Sequence, residues 1–209
     1  YTEAITYCNK VIAAAYTLHP KFKELMLADN HLNTDEFIWT APYDGIATQT
    51  YGGTTFLIHG PAAVPGDSSG CSGTWGCIRV TQQFVDLFDV ADIRGQFYTS
   101  GQNKIMTQLL DVATDGYSST KFRNKTRAGV IAPNIDNGKT FSSIDMPIFR
   151  LAEIYLIYAE AVARGGSGGS NATALNYLQQ LATQVKPFLI KNGGPVIMVQ
   201  AENEFGSYA

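Results

Sequence analysis

Met146-Pro147-Ile148-Phe149-Arg150-Leu151-Ala152-Glu153-Ile154-Tyr155-Leu156-Ile157-Tyr158-Ala159-Glu160-Ala161 is the stretch on which the fold turns. The spacing predicts a helix after Pro147 that carries Phe149, Leu151, Ala152, Tyr155, Leu156, Tyr158, Ala159 and Val162. Apolar side chains occupy most of its girth, so it must lie between neighbours. Gly165-Gly166-Ser167-Gly168-Gly169-Ser170 ends it, and serves equally as a flexible linker or as a helix-to-helix turn. A further helix is expected from about Ala172 to Ile190, interrupted at Pro187. Gly193-Gly194-Pro195 stops it, and Val196-Ile197-Met198-Val199 reads as a strand, expected at an edge or as a docked extension.

Upstream, Thr2 is a plausible N-cap for a helix in which Ala4, Ile5, Cys8, Val11, Ile12 and Ala15 recur at helical spacing. A short second helix runs from Pro20 through Phe22, Leu25 and Met26 to Asp29-Asn30. Glu36-Phe37-Ile38-Trp39-Thr40 reads as a strand closed by Pro42. Residues 43–78 hold eight glycines and two internal prolines, Pro61 and Pro65, without a sustained period, and read as a long structured loop. Loops of that length in a compact domain are usually functional. Residues 81–89 return to helix, and mixed extended segments follow as far as Arg123.

Of 209 residues, 45% are hydrophobic and 16% charged, enough apolar material for a sizeable core. The net charge of -3 is scattered, with no basic stripe to neutralise phosphates, so nucleic acid is excluded as an expected partner. Cys8, Cys71 and Cys77 fit neither a disulfide framework nor paired zinc-ligand spacing; Cys71 and Cys77 are near enough in sequence either to bridge or to remain loop thiols. His19, His31 and His59 are isolated, so no metal is expected and ordinary polar histidines are. No phosphate-cradling glycine motif and no run of about 18 apolar residues occurs. The chain opens in a helix without Met or a signal sequence, and is expected to begin at a processed or truncated edge.

The 146–161 stretch closely resembles the C-terminal signature of the SusD/RagB family, surface lipoproteins of Gram-negative glycan uptake. The opening helix is similar to the same pattern. So are Asp29-Asn30 followed by Glu36-Phe37-Ile38-Trp39, Tyr51-Gly52-Gly53-Thr54-Thr55-Phe56, Trp75-Gly76 with Arg79, and Asp92-Ile93-Arg94. The resemblance covers residues 1–177. It implies a mainly α (α-rich α+β) fold of helical hairpins with short strands and a long binding loop, here a partial domain lacking its N-terminal part. It further implies an oligosaccharide or polysaccharide ligand, with starch-like glycans among the candidates, and a TonB-dependent outer-membrane transporter as partner. Location at the outer-membrane surface follows, the lipid-anchor region not being in this chain, and no cofactor is implied.

Residues 178–209 depart from that family. Asn192-Gly193-Gly194-Pro195 through Ala201-Glu202-Asn203-Glu204-Phe205-Gly206-Ser207-Tyr208 resembles the acid/base strand of β-galactosidases of glycoside hydrolase family 35. The junction near Tyr177 is either a fusion or a mosaic of two sequences. The resemblance gives Glu204 the general acid/base role and puts Asn203 against the sugar. A retaining glycosidase also needs a nucleophilic carboxylate ~5 Å away, supplied in a (β/α)8 barrel by a later strand. The upstream residues do not alternate strand and helix as a barrel requires, so the chain is expected to bind a glycan and not to hydrolyse one. The rival expectation is an incomplete β-galactosidase, represented by its acid/base strand alone.

The expected glycan-binding residues are Tyr51, Trp75 and Arg79. A sugar's apolar face of C–H groups packs on flat aromatic rings while its hydroxyls seek planar polar partners. Tyr51 and Trp75 adjoin glycines that leave ring faces open, and Asn30, Gln49 and Asp67 are candidate polar neighbours. The resemblance places these two rings on the aromatic arc of starch-binding relatives.

Overall fold

The computed structural model describes residues 1–90, 92–108 and 112–182, which divide into two compact units. The first unit contains Tyr1–Leu18, Asp35–Trp39 and the described residues from Phe149 onward; the second contains His19–Thr34 and Thr40–Ile148. The strand expected at 196–199, the interruption at Pro187 and the Glu204 segment lie outside the described residues.

The first unit is helical. Helix α1 (Thr2–Ile12) packs on α5 (Leu151–Ala163), and α5 packs on α6 (Asn171–Ala182). Ile5 and Cys8 of α1 meet Tyr158, Ala159 and Ala161 of α5 and Ala174 of α6 in one apolar cluster. Ile5 and Cys8 in α1 and Tyr158 and Ala161 in α5 each recur three apart, which is why one stripe of each of these helices is dry. The helix caps one residue earlier than the sequence suggests, at Tyr1. The Thr2 hydroxyl instead accepts the Ser167 N–H and touches its hydroxyl.

The Gly165–Ser170 stretch is a fitted turn between α5 and α6, not a slack linker. A Cβ on Gly166 would stand 2.7 Å from the Ile5 side chain and 2.9 Å from the Ala161 carbonyl oxygen. The Ser170 hydroxyl accepts the Thr173 N–H, capping α6.

Two elements differ from the reading of residues 146–161. Helix α5 begins at Leu151, and Met146–Arg150 is strand β4, which pairs with β1 (Phe37–Ala41) in a two-stranded sheet. The cause is long-range. Glu36 is buried, accepts the Leu151 N–H through its carbonyl, and binds the Arg150 guanidinium at 2.9 Å, fixing Arg150 in extended backbone just ahead of the helix.

The second unit is built of short elements: α2 (Gly53–His59), α3 (Gly66–Ser69), α4 (Gln82–Val85) and the antiparallel pair β2 (Phe97–Tyr98) and β3 (Ser118–Ser119). Phe22–Met26 and Asn30–Leu32 are 3-10 turns where one short helix is expected. The expected unbroken loop over 43–78 is therefore corrected: it contains α2 and α3. Helix α2 turns Thr54, Thr55, Ile58 and His59 into the interior. Thr54 donates to the Ile144 carbonyl and Thr55 accepts the Ser142 N–H, so β-branched residues of modest helix propensity are held by tertiary bonds.

Hydrogen bonds from buried polar side chains tie this unit together alongside its apolar cluster of Ala28, Ile58, Cys71, Ala132 and Ile144. Asn30 is wholly buried and donates to the Leu25 and Asp145 carbonyls, while its oxygen accepts the Asp145 N–H. Asn124, also wholly buried, bridges Ser143 and Phe141 in the same way. Gly70 ends α3 at φ 75°, where a Cβ would lie 2.4 Å from the Asn124 carbonyl oxygen.

Candidate functional site

Helix α2 and the segment 73–78 build an aromatic surface in the second unit. The Trp75 N–H donates to the His59 carbonyl at 2.6 Å. Cys77 and Ile78 both donate to the Gly60 carbonyl, and Ala62 donates back to Ile78. These bonds run the segment alongside the end of α2, and Gly76 supplies the left-handed turn (φ 73°) that follows the tryptophan.

Phe56 and His59, three apart on α2, lie on one helix face and both meet Trp75. His59 lies flat beneath the indole, with centroids 4.5 Å apart and planes 9° from parallel. Tyr51 stands beside the indole at 6.3 Å with a 43° tilt, and rests edge-on against Phe141 at 5.2 Å. Tyr51 is 65% exposed and Trp75 42% exposed. One indole face is thus backed by protein while large ring area remains open, an arrangement suited to a flat apolar ligand face.

The floor is rigidly bonded. The His59 Nδ1 lies 2.5 Å from the Gly73 carbonyl oxygen and its Nε2 lies 2.7 Å from that of Thr140. The Asp136 carboxylate accepts the N–H groups of Thr140 and Phe141, so one turn sets both the His59 partner and the ring against Tyr51. Burial favours the protonated carboxyl of Asp136, but these N–H bonds prevail and hold its pKa below the ordinary value.

The other expected polar residues are placed differently. Arg79 directs Nη1 to the carbonyls of Val112 and Asp115, bracing the chain where Val80 bridges Tyr117. Asn30 is buried and engaged, which removes it as a ligand contact; Asp67 and Gln49 are exposed. Cys71 and Cys77 are free thiols, the first buried and the second exposed. Among the described residues no three His, Cys, Asp or Glu side chains converge as metal ligands.

A separate cleft of about 370 Å³ has Asp29, His31, Tyr43, Thr48, Asn134 and Asp145 among its walls. Its Tyr43 lies against the start of α2, where a Cβ on Gly53 would fall 1.8 Å from the Tyr43 hydroxyl. Phe141 and Tyr43 were not singled out by sequence, and Phe56 and His59 entered only as part of a family motif and as an isolated histidine. The three-residue spacing of Phe56 and His59 is the one local signal that could have found any of them.

Residues 92–184 match the SusD family, and residues 163–209 match glycosyl hydrolases family 35. The starch-binding protein SusD of Bacteroides thetaiotaomicron is 29% identical over 87% of this chain, which spans 41% of that protein. A β-galactosidase of Xanthomonas manihotis is 60% identical over 38 residues, 18% of this chain and 6% of that enzyme. The surface glycan-binding protein A of B. thetaiotaomicron, solved with laminarihexaose, shares the fold at a TM-score of 0.63 and 17% identity. That alignment covers 97% of this chain and 44% of the other. The described fold is accordingly SusD-like and α-rich, with few short strands.

Proposed function

We propose, from the SusD-like fold, that this chain binds a neutral oligosaccharide or polysaccharide on Tyr51 and Trp75 and leaves it chemically unchanged. The observation that carries the reading is the pair of exposed rings 6.3 Å apart, one of them backed by His59. Sugar C–H groups stack on such faces, and each stacked ring is worth ~1 kcal/mol beyond burial. Arg79, expected at the same site, instead braces the chain at Val112 and Asp115, and the Tyr43 cleft offers hydroxyl and amide partners. A glucan of starch-like character is the favoured ligand, because a relative 29% identical over 87% of this chain is named for starch binding.

In this reading residues 1–177 are the binding region and 178–209 a β-galactosidase-like fragment. The protein holds the glycan at the cell-surface side of the outer membrane and passes it to a TonB-dependent transporter. The test is calorimetric titration of maltoheptaose, laminarihexaose and a neutral non-glucan oligosaccharide into the parent chain, Trp75→Ala and Tyr51→Ala, with folding checked by circular dichroism. Loss of either ring should weaken binding about tenfold. Equal affinity in the parent and both folded variants would overturn the site, and absence of binding by all glycans would overturn the function.

A further inference from the structure

Both ring nitrogens of His59 face oxygens that can only accept. The Gly73 carbonyl lies 2.5 Å from Nδ1 and the Thr140 carbonyl 2.7 Å from Nε2. A neutral imidazole has one N–H, so one nitrogen would present a lone pair to a carbonyl lone pair at hydrogen-bond distance. The imidazolium has two donors and satisfies both. We propose that His59, as an imidazolium, is the positioning residue of the aromatic surface: it clamps Gly73 to Thr140 and holds the Trp75 indole by its inner face.

Three further observations support this assignment. His59 is 1% exposed, so a charge there needs compensation, and two charge-assisted hydrogen bonds plus an indole face at 4.5 Å supply it. The backbone of Trp75 is tied to His59 as well, through its N–H, so ring and main chain depend on the same residue. Burial lowers the pKa of the ring, but the Cys71 thiol and the Thr140 and Gly73 carbonyls outweigh it and leave it above 6.5.

The surroundings contain few competing charges. Cys71 is the titratable group that acts directly on the ring, and its Sγ lies 3.3 Å from the same Gly73 oxygen. Helix α2 bears no other ionisable side chain, and the segment 72–78 adds only the exposed Cys77. The 136–140 turn carries Asp136, engaged with its own N–H groups, and Lys139.

A folded-state pKa above the unfolded one gives stabilisation that is complete below about pH 6.5 and is lost as pH rises through the folded value. The clamp should therefore open toward alkaline pH. On the glycan-binding reading, affinity at Trp75 should fall with it, by about fivefold to tenfold.

The experiment uses Trp39→Phe, which leaves Trp75 as the sole tryptophan, because a protonated imidazole in contact with an indole quenches its emission. Fluorescence should rise through a single step centred above about pH 6.5. The step should vanish in His59→Gln and persist in Cys71→Ser. Should His59→Gln fail to fold, ring-15N spectra of the Trp39→Phe protein decide instead, by showing one histidine doubly protonated above the ordinary range. No fluorescence step, a step centred at or below that range, or one that follows Cys71 overturns the clamp. If glycan binding is absent altogether, the function falls while the fluorescence step still decides the clamp. If glycan binds with the same affinity on both sides of the step, His59 does not position the site.

Discussion

The ring of Tyr177 lies flat on that of Tyr155, with centroids 4.3 Å apart and planes 2° from parallel, and meets the edge of Tyr158 at 5.1 Å. Burial, together with the charges of its aromatic neighbours, raises the Tyr177 pKa, as burial alone does for Tyr155. Residue 177 falls in the stretch, 163–184, that both family matches share, and it lies in a packed helix. Tyr177→Ala should cost about 2 kcal/mol, through lost area and lost ring contacts, whereas Tyr177→Phe should be nearly neutral. Urea unfolding of the three proteins checks this, and an unchanged midpoint for the alanine variant would detach α6 from the core.

Glu36 and Arg150 hold β4 to β1 ahead of α5. Arg150→Met removes the cation and leaves Glu36, 2% exposed, without that partner. The expected loss is about 3 kcal/mol, and Glu36→Gln in the same background should recover part of it. Thermal melts of the single and double variants measure the recovery.

Asp92 is 4% exposed and receives three hydrogen bonds from the Arg94 side chain, between 2.5 and 3.2 Å. Burial pushes its pKa up, but Arg94 outweighs that and holds the carboxyl below 3.8. A depressed pKa stabilises the fold above the unfolded value and ceases to do so as pH falls through the folded one. Asp92→Asn should thus be weaker than the parent by about 2 kcal/mol at about pH 7, with the gap closing as pH falls below 3.8 and through the folded value. Equal gaps at both ends of that range would show that the pairing is not electrostatic.

The Glu204 segment resembles an acid/base strand, but the sheets among the described residues are two-stranded and do not form a parallel barrel. Galactose release from an aryl β-galactoside should stay at background for the parent chain and for Glu204→Gln alike. Turnover abolished by that substitution would make the protein an enzyme.

Sequence periodicity found α1 and α5 because their buried apolar residues recur at helical spacing, Ile5 and Cys8 in one and Tyr158 and Ala161 in the other. It placed Phe149 and Arg150 in helix because their strand depends on Glu36, 114 positions from Arg150. Tyr51 and Trp75 stood out through the glycines beside them and the family pattern. His59 did not, since its partners are main-chain oxygens 14 and 81 positions away, and a carbonyl carries no sequence signal. Helix α2 escaped for a related reason: its residues are Gly, two Thr and one turn of apolar side chains, fixed by bonds to Ser142 and Ile144.

The 43° between the Tyr51 and Trp75 planes sets a demand on shape that precedes any reading of hydroxyls. A polymer touching both rings at once must bend between the sugars that meet them, because two inclined plates cannot both lie flush with one straight ribbon. Chains whose linkages impose a coil already carry that bend and reach both plates without distortion. Ribbon-like chains engage one plate and lift from the other. On the glycan-binding reading, the angle between these two side chains would therefore sort polymers by a curvature that the glycosidic linkage fixes.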